Sequence, residues 1–109
     1  MITVVHTKRN PDAGKPWSVY IGRPSPLGNT YSVEKFGRER CIDLFRKDLQ
    51  AALLPEDLAY RSEYLSKIKV EFYHLVEIYK QYGKLVLACW CFPKKCHGDA
   101  IKEEILRGI

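Results

Sequence analysis

Residues 84–99 read KLVLACWCFPKKCHGD, and this stretch constrains the chain more than any other. Leu85, Val86, Leu87 and Ala88 form a short continuous apolar run, the pattern of a buried strand. The run ends in a turn, and a helix starts beyond it. Three of the four cysteines and one of the three histidines lie between Cys89 and His97. Open α/β folds bind ligands at the carboxyl ends of their strands. A strand leading into Cys89, Cys91, Cys96, His97 and Asp99 brings thiols, an imidazole and a carboxylate to such an end.

The rest of the chain supplies the partners of that strand. Ile2 to Thr7 reads as a first strand and Trp17 to Ile21 as a second, with a turn-rich loop between them. So short a connection suggests a hairpin rather than parallel neighbours. Gly22 to Asn29, GRPSPLGN, carries two prolines and two glycines, which exclude a helix or a central strand. A helix is expected from Val33 to Leu54, with Cys41, Phe45, Leu49 and Leu53 on one apolar stripe. Pro55 breaks it. A second helix is expected from Pro55 or Ser62 to Tyr82, its stripe formed by Leu65, Ile68, Phe72, Leu75, Val76 and Tyr79. Gly83 suits the position just past its end. The Lys84–Cys91 strand follows, then a helix from His97 to Arg107 with Ile101 and Ile105 inward. The order β-β-α-α-β-α predicts a small single-domain α/β fold of Rossmann-like type.

Composition narrows the function classes. The chain has 109 residues, a length that suits one domain, and 46% of them are hydrophobic, enough for a core. Its formal net charge is +5, which suits an anionic partner. No concentrated Lys/Arg stripe of a duplex-DNA binder is present. No run approaches the length of a membrane span, and MITVVHTKRN does not read as a signal peptide. A cytoplasmic protein with reduced thiols and no membrane partner is expected.

Cys96 and His97 fall where the last helix begins, and Asp99 falls in its first turn. A helix N-terminus favours anions and thiolates. Cys96 or Asp99 is a candidate nucleophile there, and His97 a candidate acid or base. Cys96 is expected to be exposed and the most reactive thiol, with Cys41 and Cys89 shielded in the core. The C-x-C-x4-C-H spacing differs from that of structural zinc sites, so no metal and no cofactor is expected. In the Gly22–Asn29 loop, Arg23, Ser25, Gly28 and Asn29 are candidate ligand-binding residues, joined by Cys91 from the opposite turn. Backbone N–H groups and the Arg23 guanidinium could hold an anion there.

VYIGRPSPLGN (Val19 to Asn29) and LACWCFPKKCHGDAI (Leu87 to Ile101) resemble the two signature blocks of domain-of-unknown-function family 4326. Those blocks read YIGR-x-SP-x-GNP and C-W-C-x-P-x-x-CH-x-D. Thr30 stands where the first block has its last proline. Members are often encoded by bacteriophages, so the resemblance implies a phage origin and work in the host cytoplasm. It marks where a site lies and assigns no reaction. The leading expectation is a nucleotide or nucleotide-derived ligand held between the Arg23–Asn29 loop and the Cys91–Asp99 turn. An enzyme that processes it and a counter-defence protein that sequesters it without turnover both stay open. A third reading is an inhibitor of a host protein, docking through Tyr60, Tyr64, Tyr73 and Tyr82. The oligomeric state is not legible.

Overall fold

The computed structural model describes residues 1–54, 62–90, 94 and 96–108. Its elements are strand β1 (Ile2–His6), a single 3-10 turn (Thr7–Arg9), strand β2 (Ser18–Tyr20), helices α1 (Val33–Phe36), α2 (Arg38–Ala52) and α3 (Glu63–Tyr82), strand β3 (Leu85–Cys89) and helix α4 (His97–Arg107). The three strands form one parallel sheet in the order β1-β3-β2. This is a mixed α/β architecture.

The apolar run takes the centre of the sheet. Val4 and Val19 both lie opposite Leu87, one on each side. All five residues of β3 are buried. A strand covered on both faces buries every side chain, so its residues need not alternate with polar ones. Leu85, Leu87 and Cys89 join Ile2 and Val4 in a cluster with Phe45 and Leu49 of α2, Ile68, Phe72 and Leu75 of α3, and Ile101 and Ile105 of α4. Burying one such Leu or Ile side chain contributes about 1.5–3 kcal/mol.

The expected hairpin of β1 and β2 does not form, because β3 inserts between them. The eleven residues from Thr7 to Trp17 return the chain to run parallel again. Extended, they reach about 36 Å. Crossing two strand spacings and retracing a five-residue strand needs roughly 10 Å and 17 Å. The loop is held down locally: Asn10 Nδ2 donates to Ser18 Oγ at 2.8 Å, and Trp17 Nε1 donates to Asp12 Oδ2 at 3.2 Å.

The helix expected over Val33–Leu54 is two helices. Gly37 has φ 81° and ψ 156°, a conformation open essentially to glycine alone, and it ends α1 before α2 begins at Arg38. The α2 stripe otherwise falls as expected, with Cys41, Phe45 and Leu49 buried. Helix α3 starts at Ser62, whose Oγ accepts from Leu65 N at 3.1 Å, and stops at Gly83 in the left-handed region, φ 66°. Pro55, the other possible start of that helix, lies outside the described residues. Helix α4 spans His97 to Arg107 as expected. No helix among the described residues is long and apolar enough to cross a membrane.

Candidate ligand-binding site

The three parallel strands end together, and each end carries an aromatic ring. His6 closes β1, Tyr20 closes β2, and Trp90 follows β3 directly. Trp90 Nε1 donates to Tyr20 Oη at 3.1 Å, and the His6 and Trp90 rings meet edge-on at 5.6 Å. Tyr20 Oη in turn donates to the Arg23 carbonyl at 2.7 Å. The sheet's carboxyl edge and the Gly22–Asn29 loop are thereby locked together.

That loop is built on itself. Ser25 N donates to Gly22 O and Gly28 N to Ser25 O, both at 2.8 Å, and Leu27 N donates to Ser25 Oγ at 3.2 Å. Pro24 and Pro26 have no N–H to offer. The expected backbone cradle for an anion is therefore largely spent within the loop. A Cβ on Gly28 would sit 2.9 Å from Arg23 N and Cα, so only glycine allows the loop to close this tightly.

Arg23 and Asn29 clamp the loop rather than hang free. Arg23 Nε donates to the Asn29 carbonyl at 2.7 Å, and Nη2 to the Tyr31 carbonyl at 3.4 Å. Asn29 Nδ2 donates to the Cys41 carbonyl at 3.1 Å, while its Oδ1 accepts from Tyr31 N at 2.9 Å. Tyr31 Oη donates to Asp48 Oδ2 at 2.8 Å, and Tyr64 Oη donates to the same oxygen at 3.0 Å. The bond to Asp48, with burial and the carboxylate charge behind it, pushes the Tyr31 phenol up to about 12.

Above these groups lies a cavity of about 330 Å³. Tyr20, Tyr31 and Trp90 supply aromatic walls, Arg23 and Arg38 the cations, and Cys41, Cys89, Cys96 and His97 the floor. No acidic side chain is among its described lining. Two guanidiniums and three large rings, with no carboxylate among the described lining, are groups suited to a flat anionic ligand.

The cysteine–histidine turn differs from its sequence reading in exposure. Cys96 is the N-cap of α4 and is only 2% exposed, against the exposed thiol expected. Its Sγ accepts from Gly98 N at 3.3 Å and lies 3.1 Å from Cys89 Sγ. The reason is packing: Gly98 brings the start of α4 hard against the sheet, where an added Cβ would meet Ile21 Cδ1 at 3.0 Å and Val4 Cγ1 at 3.1 Å. Cys41 and Cys89 are buried, as expected.

His97 is also buried, 5% exposed. Its Nε2 lies 2.7 Å from the Ile21 carbonyl, which can only accept, so Nε2 carries the proton. Its ring stands edge-on to Phe45 at 5.0 Å. Burial pushes its pKa below 6.5, although the carbonyls of Ile21 and Leu27 pull it back up. His97 is thus a neutral imidazole tying α4 to the end of β2. Asp99 is exposed and lines a separate groove between α2 and α4, with Cys96 at the boundary of both. Cys91 lies outside the described residues. Among the described residues no three His, Cys, Asp or Glu side chains gather as a metal site.

The structure therefore brings Arg23, Asn29, Cys96 and His97 to one cavity, places Ser25 and Gly28 in the loop behind it, and leaves Asp99 outside. Sequence reading passed over Tyr20, Tyr31, Trp90 and Arg38. Tyr20 and Trp90 were legible in principle, since both stand at strand ends. Arg38 was hidden by the reading of Val33–Leu54 as one unbroken helix. Arg40 is exposed and is not part of the lining. Of the tyrosines considered for docking, Tyr64, Tyr73 and Tyr82 are exposed and Tyr60 is outside the described residues. Tyr64 is engaged with Asp48, and Tyr82 packs on Trp17 at 5.8 Å.

A family model for a domain of unknown function (DUF4326) matches residues 5–107. No curated protein and no solved structure matches the chain.

Proposed function

The chain belongs to the DUF4326 family, and from the geometry of its cavity we propose that it binds a nucleotide-derived small molecule without turning it over. One observation carries this reading: a cavity at the carboxyl ends of parallel strands lined by Arg23, Arg38, Tyr20, Tyr31 and Trp90, with no carboxylate among its described lining. Rings take a base by stacking, and guanidiniums take a phosphate. The volume of about 330 Å³ sits at the small end for ligand pockets, which suits a mononucleotide rather than a dinucleotide. Rossmann-like folds hold nucleotides at the same end of the sheet, and that analogy supports the placement only.

Binding is favoured over processing because the candidate catalysts are poorly disposed to act on a bound nucleotide. Cys96 is buried, His97 spends its Nε2 proton on Ile21, and Asp99 lies in another groove. A phage protein of this kind would act in the host cytoplasm by sequestering a nucleotide signal. Host-protein inhibition is the weaker reading, since Tyr64 and Tyr82 are already engaged within the chain.

The test is calorimetric titration with nucleoside monophosphates, nucleosides and inorganic phosphate, followed by analysis of what the denatured protein releases. One intact monophosphate per chain, bound more tightly than either fragment, is expected. Arg38→Ala should weaken it by about 1.5–3 kcal/mol, the range for a charged hydrogen bond. Absence of binding across the panel would sink the proposal. Altered ligand on release would convert it to an enzyme.

A further inference from the structure

The two sulfurs on the cavity floor have a chemistry of their own, independent of what the cavity binds. Cys89 Sγ and Cys96 Sγ lie 3.1 Å apart. A disulfide bond is about 2.05 Å, so roughly 1 Å of approach separates contact from bond. The two residues sit on different elements, the end of β3 and the N-cap of α4, which aim their side chains at each other across the turn. Both line the cavity, and Cys96 also borders the α2–α4 groove. Cys89 is 1% and Cys96 2% exposed, so only a small solute could reach the pair, from the cavity or, at Cys96, from the groove. The Gly98 N–H directed at Cys96 Sγ suits a sulfur that carries negative charge.

We propose that Cys89 and Cys96 form a thiol pair that is oxidised to a disulfide by a small hydroperoxide, with Cys96 attacking and Cys89 resolving. The Cys96 thiolate attacks the terminal oxygen of the hydroperoxide. The O–O bond breaks, an alcohol (or water, from hydrogen peroxide) leaves with one proton, and Cys96 becomes a sulfenic acid. Cys89 then attacks that sulfur. The S–O bond breaks, and the departing hydroxide takes the Cys89 proton as water. Two thiols lose two electrons and two protons, and one hydroperoxide is reduced. A low-molecular-weight thiol reverses the bond by exchange. The oxidised form staples β3 to α4 at the cavity floor.

The experiment treats the full-length wild-type chain with a few equivalents of hydrogen peroxide. The remaining thiols are alkylated and the chain is digested without reduction. Chymotryptic cleavage after Trp90 separates Cys89 from Cys91. The expected product is a Cys89–Cys96 linked peptide lacking two hydrogens, which disappears on treatment with a thiol reductant. Cys91→Ser should still form it, and Cys89→Ser should instead accumulate a sulfenic or sulfinic acid on Cys96. Both Cys89 and Cys96 remaining alkylated, or a link from Cys96 to Cys91 or Cys41, would overturn the proposal.

Discussion

Replacing His97 by Phe tests whether the buried imidazole is a tether. The ring would still fill the space beside Phe45, but the Ile21 carbonyl would lose its donor in a residue that is 0% exposed. Leaving a buried acceptor unpaired costs about 1–3 kcal/mol, and that is the expected loss above neutral pH. The pH dependence gives a second, independent signature. The folded pKa of His97 is lowered, so below its ordinary value of 6.5 the unfolded state binds more protons than the folded one. Stability from this group is fully present above 6.5 and is lost as the pH falls toward the folded pKa. One unit below 6.5 the loss reaches at most about 1.4 kcal/mol. His97→Phe has no such group, so its stability should fall less over the same interval. Urea denaturation of both proteins above and below this value, with matched slopes, measures each quantity. A variant as stable as wild type with the same acid sensitivity would refute the tether. Full stability with lost nucleotide binding would make His97 a ligand contact instead.

Arg23→Ala should cost stability as well as affinity, about 0.5–1.5 kcal/mol, because its guanidinium holds two backbone carbonyls; a thermal melt that does not move would mean that Arg23 serves the ligand alone. Gly28→Ala should destabilise the loop by about 1–3 kcal/mol through overlap with the Arg23 backbone and abolish ligand binding, as read by denaturant titration and calorimetry. Ultraviolet titration should show a tyrosine ionising near 12, and Tyr31→Phe should remove it. Because that folded pKa is raised, Tyr31 stabilises the fold below pH 10 and its contribution declines as pH climbs past 10, a decline the variant should lack. Asp99→Asn should leave nucleotide affinity unchanged, since Asp99 lies in the neighbouring groove; a tenfold loss would place that carboxylate at the ligand.

Local signals in the chain determined the elements. The 3.6-residue stripes of α2, α3 and α4 name their buried faces, Ser62 and Gly83 bound α3, and the LVLA run has the pattern of a buried strand. They also pointed to the end of β3 as a candidate site, because thiols, imidazole and carboxylate cluster there in sequence. What the sequence alone did not decide depends on residues far apart in the chain. The insertion of β3 between β1 and β2 follows from long-range pairing, to which the hydrophobic pattern of each strand is indifferent. The kink at Gly37 turns on one backbone conformation, and with it Arg38 lines the cavity. The burial of Cys96 is set by how closely Gly98 lets α4 approach Val4 and Ile21. His97 is chemically able to be an acid, a base or a tether. Only the carbonyl of Ile21, brought to 2.7 Å by the fold, selects among them.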